Sequence, residues 1–312
     1  MEKRTAFLLV AAAPLIWAVA LAGALYGLEP FYSWLYFFAW GPYILLLEGL
    51  LFLKEGKYWL LARPREFLKL LAWSVTVWLV FEAFNLVLHN WSYAGLLPHW
   101  WLRWPGYALA FATVLPGILL TARVLAAYGA WGKVKGRACS WSHWQMIFLI
   151  LGVACLILPL THPHYAFPLV WGVAVFLLDP ICDLFGGTSL TQRWLEGERQ
   201  ETFCLLAAGL ICGIWWEMWN YPAAAKWVYT LPVLNFGKIF EMPILGFIGF
   251  LPFALECAVM YNFYRIIEEK LLVTSRQRRW FWLGQLAFWL IMFAAMDAWT
   301  VISYHRAVSS SP

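Results

Sequence analysis

The stretch "GIWWEMWNYPAAAKWVYTLP", Gly213–Pro232, sets Glu217 and Asn220 inside a run of tryptophans that otherwise reads as buried in a membrane. A charged side chain at bilayer depth costs about 2.5–3.5 kcal/mol on insertion scales, so this glutamate calls for a reason. The pattern has a counterpart in "FEAFNLVLHNWSY", Phe81–Tyr93. Glu82 aligns with Glu217 and Asn85 with Asn220, each 135 residues apart, while Trp91 and Tyr93 align with Trp227 and Tyr229 at 136. Downstream, "AFATVLPGILL" matches "GFIGFLPFALE" and sets Leu115-Pro116 on Leu251-Pro252. Upstream, "WGPYILLLE" matches "WGVAVFLLD", which sets Trp40-Gly41 on Trp171-Gly172 and Glu48 on Asp179 at 131. The difference in offset falls in the loop around "GGTS", where insertions are tolerated.

Composition identifies the solvent around this repeat. The chain is 63% hydrophobic and 12% charged, with a mean hydropathy of +0.68, against about 25% charged residues in a soluble domain. Apolar runs long enough for a bilayer core recur along it. Nine spans are expected, near 6–27, 32–53, 67–89, 106–128, 144–161, 166–185, 202–221, 239–263 and 280–303. The first follows "MEKR" and lacks a polar, small-residue cleavage region, so it reads as an uncleaved helix. Basic clusters at Lys3/Arg4, Lys54–Arg65, Lys133–Arg137, Arg193/Arg199 and Arg265–Arg279 fall on alternate sides. Those loops are therefore expected in the cytoplasm, with the N-terminus inside.

The expected fold is an all-α integral membrane protein: a tandem parallel repeat of a four-helix unit plus one C-terminal helix. Its parts are residues 1–135, 136–270 and 271–312, and helical spans of this kind suit a bacterial inner membrane. The formal charge of +5 follows from the inner-loop bias and needs no nucleic-acid partner. Six cysteines lack C-x-x-C spacing, and six histidines lack i, i+3 or i+4 pairs within spans, so no metal or redox cofactor is expected. Nor does the chain contain a P-loop, a Gly-rich dinucleotide motif or a serine elbow.

Spacing of i, i+3 puts each Glu/Asn pair on one helix face. Glu82, Asn85, Glu217, Asn220 and Glu241 form the expected catalytic set near the outer ends of their spans, together with mid-span Glu256. Glu48, Asp179 and Asp183 form a second, inward polar set. No lysine or arginine within the spans matches these acids, so at least one is expected to be protonated at neutral pH. Glu241, Glu256 and Asp183 have no acidic counterpart in the first half, which places the chemistry mainly in the second. Trp216, Trp219, Tyr221, Trp227 and Tyr229 are the expected substrate-binding aromatics, since ring faces stabilise cations. The structural alternatives are helix-gluing hydrogen bonds for Glu217–Asn220, capping or snorkelling near the cytoplasmic interface for Asp179 and Glu48, and an interfacial belt for most tryptophans.

Together these features imply an enzyme acting on an apolar lipid of isoprenoid, sterol or carotenoid type by acid-initiated isomerisation, cyclisation or hydration. Glu217 would be the acid, Asn220 its orienter, and Glu241 or Glu82 the partner base. The broad plan is similar to that of membrane-bound carotenoid cyclases, which also combine duplicated helices with buried acids. Their P-x-E-E type motif has no match, since this chain reads "FEMP" at Phe240–Pro243. A proton-coupled transporter or flippase uses the same residue types. So does a non-catalytic subunit of a larger membrane complex, and a homo-oligomer is compatible with each reading.

Overall fold

A computed structural model describes residues 2–302. Among them, nine helical segments are long and apolar enough to cross a membrane. Six are single helices: α1 (Glu2–Leu25), α2 (Phe31–Glu55), α3 (Pro64–Leu88), α6 (Trp144–Thr161), α10 (Gln200–Asn220) and α12 (Ser275–Trp299). Three are composite. Span four joins α4 (Trp100–Ala112) to α5 (Val114–Ala127), and span six joins α7 (Pro163–Ala166), a 3-10 turn at Phe167–Gly172 and α8 (Val173–Leu184). Span eight runs from a 3-10 turn at Ile244–Gly249 through α11 (Phe250–Ile266) to a π turn at Ile267–Leu271. A short α9 (Leu190–Leu195) lies in the loop before α10.

Local chemistry sets the ends. Gly56 closes α2 in the left-handed conformation, φ 74°, returning its N–H to Phe52. Pro64 opens α3 at its first turn, where a missing N–H is harmless. Thr274 and Gln277 form a reciprocal capping box at the start of α12. The break at Thr113 is bridged by α3: the Ser74 hydroxyl donates to Phe111 O at 2.5 Å and accepts from Leu115 N at 2.9 Å. A side-chain hydroxyl thus stands where one rung of the helical ladder is lost.

Span eight differs from the sequence expectation, which began it at 239. Lys238–Ile239 (β3) and Met242–Pro243 (β4) pair as a small antiparallel hairpin, with Glu241 beside its turn and not on a helix. Pro243 therefore kinks no helix, and Pro116 and Pro252 lie in the first turns of α5 and α11. A second ribbon covers the ends of α3 and α10. Trp91–Ala94 (β1) pairs antiparallel with Lys226–Tyr229 (β2), setting Trp91 opposite Tyr229 and Tyr93 opposite Trp227.

Packing between the two halves is crossed. Trp40 on α2 meets Trp216 on α10 with ring centroids 5.1 Å apart, and Trp171 before α8 meets Phe81 on α3 at 5.2 Å. The same-half neighbours also correspond, with α1 on α2 and α2 on α5, then α6 on α8 and α8 on α11. α12 docks on α3 and α4. Thr76 donates to Gln285 at 2.6 Å, and Asp297 pairs with Arg103 at 2.5 Å while accepting from Trp104 and Tyr107. The fourth span begins earlier than the expected 106, which brings Arg103 into it: Arg103 is buried in α4 and engages Asp297, an acid outside the expected sets, through two nitrogens.

Candidate functional site

Each E-x-x-N sequence closes on the W-x-Y sequence that follows it. α3 ends at His89, φ 52°, and the chain turns back. Asn85 templates that turn, its Oδ1 accepting from Asn90 N and Trp91 N at 2.9 and 3.2 Å and its Nδ2 donating to Trp91 O at 2.9 Å. An asparagine amide can replace a backbone partner in this way. After α10, Asn220 does the same for Trp227, accepting from its N at 3.0 Å and donating to its O at 2.8 Å.

Residues two apart on a strand share a face, so the Trp and Tyr that follow both turn toward the glutamate. Trp91 Nε1 and Tyr93 OH donate to Glu82 Oε1 at 3.0 and 2.5 Å. Trp227 Nε1 and Tyr229 OH donate to Glu217 Oε1 at 3.3 and 2.7 Å. Burial, and then the adjacent carboxylate, push both phenols well above the ordinary tyrosine range. They stay proton donors at any physiological pH. Among the described residues no hydrogen bond joins the two glutamates directly; the β1–β2 ribbon links them.

The two glutamates differ in one donor. Trp78, one turn before Glu82, adds a third hydrogen bond at 2.8 Å. The aligned position before Glu217 is Gly213, where a Cβ would lie 2.2 Å from the Phe250 ring. Both carboxylates are fully buried, and in each the second oxygen, Oε2, has no partner among the described residues. Glu217, unlike Glu82, lines the cavity of about 180 Å³ that lies beneath the ribbon between α2, α3, α4, α10 and α11. Its walls are chiefly aromatic, with Tyr36, Trp78, Tyr107, Trp171, Trp216 and Phe253 prominent.

The other expected residues divide. Trp216, Trp227 and Tyr229 line this cavity, whereas Tyr221 is exposed. Trp219 stacks on Trp215 at 5.2 Å and packs against Trp40, Tyr43 and Trp17 away from the cavity. Glu241 is ion-paired with Lys226, Nζ to Oε1 2.6 Å, and Lys226 also lines the cavity. Glu256 accepts from Ala174 N at 2.8 Å, so it caps the N-terminal turn of α8 from a neighbouring helix. Glu48 accepts from the backbone N–H groups of Trp59, Leu60 and Leu61, and Asp179 from Leu190 N, Thr191 N and the Ser189 hydroxyl. These two acids fasten equivalent loops, which occupies both oxygens of each. Asp183 accepts from Gln145 at 2.9 Å.

Tyr36, Trp78, Tyr107, Trp171 and Lys226 were not among the expected site residues. For Trp78 the signal was present, an indole at i−4 from a buried acid on one helix. Tyr36 and Tyr107 offered none, because their helices approach only in the folded chain. Among the described residues no three His, Cys, Asp or Glu side chains converge as a metal site. No protein-family model matches the chain, and no curated protein or solved structure is significantly similar to it.

Proposed function

We propose that this chain is an integral-membrane enzyme that protonates an apolar, unsaturated lipid of isoprenoid, sterol or carotenoid type, with Glu217 as the acid. The carrying observation is Glu217 itself: buried, facing an aromatic cavity, with Oε1 held by Tyr229 and Trp227 and Oε2 unpartnered. A proton on Oε2 moves to one alkene carbon as the π pair forms the new C–H bond. The adjacent carbon becomes cationic between ring faces, where aromatic quadrupoles stabilise it. Returning a different proton to the carboxylate gives an isomer, and attack by a second double bond before that gives a ring. Addition of water gives the hydrated product. The cavity is comparable to the ~150 Å³ that accommodates benzene in an engineered core, so it suits one terminal unit of a long chain.

Asn220 is the positioning residue, holding the strand whose Trp227 and Tyr229 fix the acid. Glu241 is less suited to the base role expected of it, since it already serves Lys226. In this reading the chain is a tandem duplication with both four-helix units in one orientation, about residues 1–135 and 136–270, and the ninth helix, α12, closes it. The crossed Trp40–Trp216 and Trp171–Phe81 contacts support this, as do the twofold W-x-Y register and the paired Glu48 and Asp179 loops. The basic loops would face the cytoplasm, in a bacterial inner membrane.

The test is mass spectrometry of total lipids from cells making the wild type or Glu217→Gln in matched, folded amounts. A lipid of unchanged mass and shifted retention, or one that gains water, is expected only with the wild type. Identical profiles would sink the acid role. One observation favours transport instead: a second cavity of about 610 Å³ opens at the other end of the bundle. Val114 lines the first cavity and Leu119 the second, with Leu115 and Ile118 fully buried between them. Two cavities separated by little more than one helical turn suit alternating access, and substrate movement without chemical change would select that reading.

A further inference from the structure

We infer that this second cavity binds a phosphate-bearing group, independently of the chemistry at Glu217. It lies between α5, α10 and α11 and the loops that precede α6 and α10, at the end of the bundle away from the β1–β2 ribbon. Its floor is apolar, formed by residues such as Leu119, Leu205 and Ala258, and its rim is cationic. Arg123, Lys135, Arg193, Arg199 and Arg265 line it against two acids, Glu198 and Glu201. Both acids are taken by Arg193, at 2.8 and 2.5 Å.

The remaining cations are not neutralised by the cavity's own acids. Lys135 forms no ion pair among the described residues, and its backbone bridges to Glu198. Arg265 reaches only to Glu269 on its own helix, at 3.1 Å, and both are half exposed. Arg199 lies over the Trp194 ring and donates to the Trp194 carbonyl. Arg123 gives Nη2 to Glu55 at 3.0 Å and lies over Trp59, while its Nε is buried with no acceptor. Thr188 and Asn262 also line the space, and their side chains make no hydrogen bond within the described chain. The first turn of α10 enters the same cavity through Gln200 and Glu201, and a helix N-terminus adds a favourable dipole for an anion.

A basic inner face is ordinary for a membrane protein, but a concave one is not required by topology. Here four guanidinium groups and one ammonium line a single cavity with an apolar floor. Phosphate oxygens match that donor set, and guanidinium groups bind them through paired hydrogen bonds. The shared chemistry is a phosphate or diphosphate, carried either by a lipid headgroup or by a soluble compound.

The experiment uses the full purified chain. In one arm pyrophosphate is titrated against protein in neutral detergent; in the other, native mass spectrometry follows retention of phosphatidylglycerol after transfer from nanodiscs. Arg123→Gln and Lys135→Gln are compared with Arg65→Gln, which removes an exposed cation in the first turn of α3, outside the cavity. Loss of one charge-assisted contact is expected to weaken binding about tenfold in both cavity variants, with little change in Arg65→Gln. Pyrophosphate binding with that pattern identifies a soluble phosphate compound, and lipid retention with that pattern identifies a headgroup. If neither probe binds, or if Arg65→Gln weakens binding as much as the cavity variants, the site does not exist. Lys135→Gln keeps the test decisive should Arg123→Gln misfold through loss of its contact with Glu55.

Discussion

Glu82 and Glu217 occupy matching positions, yet their surroundings assign them different work. Glu82 Oε1 accepts three donors, from Trp78, Trp91 and Tyr93, and the residue lines neither the aromatic nor the cationic cavity. Glu217 has two donors and faces the aromatic cavity. Removing the acceptor at Glu82 leaves three buried donors unanswered, each costing about 1–3 kcal/mol. Glu82→Ala is therefore expected to lose about 3 kcal/mol or more of stability in detergent unfolding. Glu82→Gln keeps an acceptor oxygen and should stay folded with its product profile intact. Glu217→Gln should also stay folded, but without product. If Glu82→Gln silences product formation as fully as Glu217→Gln does, the asymmetry drawn from Trp78 and Gly213 is wrong.

At the level of elements, two polar contacts reinforce the packing of the ninth helix, Thr76 with Gln285 and Arg103 with Asp297, and the second is the charged one. Asp297 sits near the end of α12 and takes Arg103, Trp104 and Tyr107 from α4, while Arg103 also donates to the Leu97 and Pro98 carbonyls. Breaking one side of a buried pair strands the other charge, at about 3–5 kcal/mol, whereas replacing both with apolar groups is often neutral. Asp297→Ala is expected to destabilise the fold by that order. The double variant Arg103→Met/Asp297→Leu should recover most of the loss in the same unfolding assay, and no recovery would mean the pair is not what docks α12. This contact was invisible in the sequence because its partners lie 194 residues apart and Asp297 has no counterpart in the repeat. The spans themselves were readable, since 20-residue apolar runs bounded by basic loops have one economical interpretation. The E-x-x-N and W-x-Y matches were readable for a similar reason, as internal comparison needs no structure. Their union was not: β1 and β2 are four residues each, too short for alternation to show, and each gains its partner only from the other half of the chain. The hairpin that takes Glu241 off span eight is shorter still.

For the molecule as a whole, the decisive question is which end faces which compartment, because the two cavities lie at opposite ends. In the proposed duplication, an even number of spans per unit would leave both copies in one orientation, related by an axis along the membrane normal. If the basic loops lie inside, as proposed, the Glu217 cavity would receive its lipid from the outer half of the bilayer and the cationic cavity would meet cytoplasmic phosphates. The chain carries its own probe for this. Cys139, in the loop before α6, is exposed, while the other five cysteines are buried. Tyr165, in the short α7 that opens span six just past the far end of α6, is 77% exposed and accepts a cysteine without disturbing the core. A membrane-impermeant maleimide applied to intact spheroplasts is expected to spare Cys139 and to label Tyr165→Cys in a Cys139→Ser background. Permeabilisation should expose Cys139 as well. Labelling of Cys139 alone in intact spheroplasts would invert the molecule and hand each cavity to the opposite compartment. Labelling of both would mean that α6 does not cross, and the parallel four-helix repeat would fall with it.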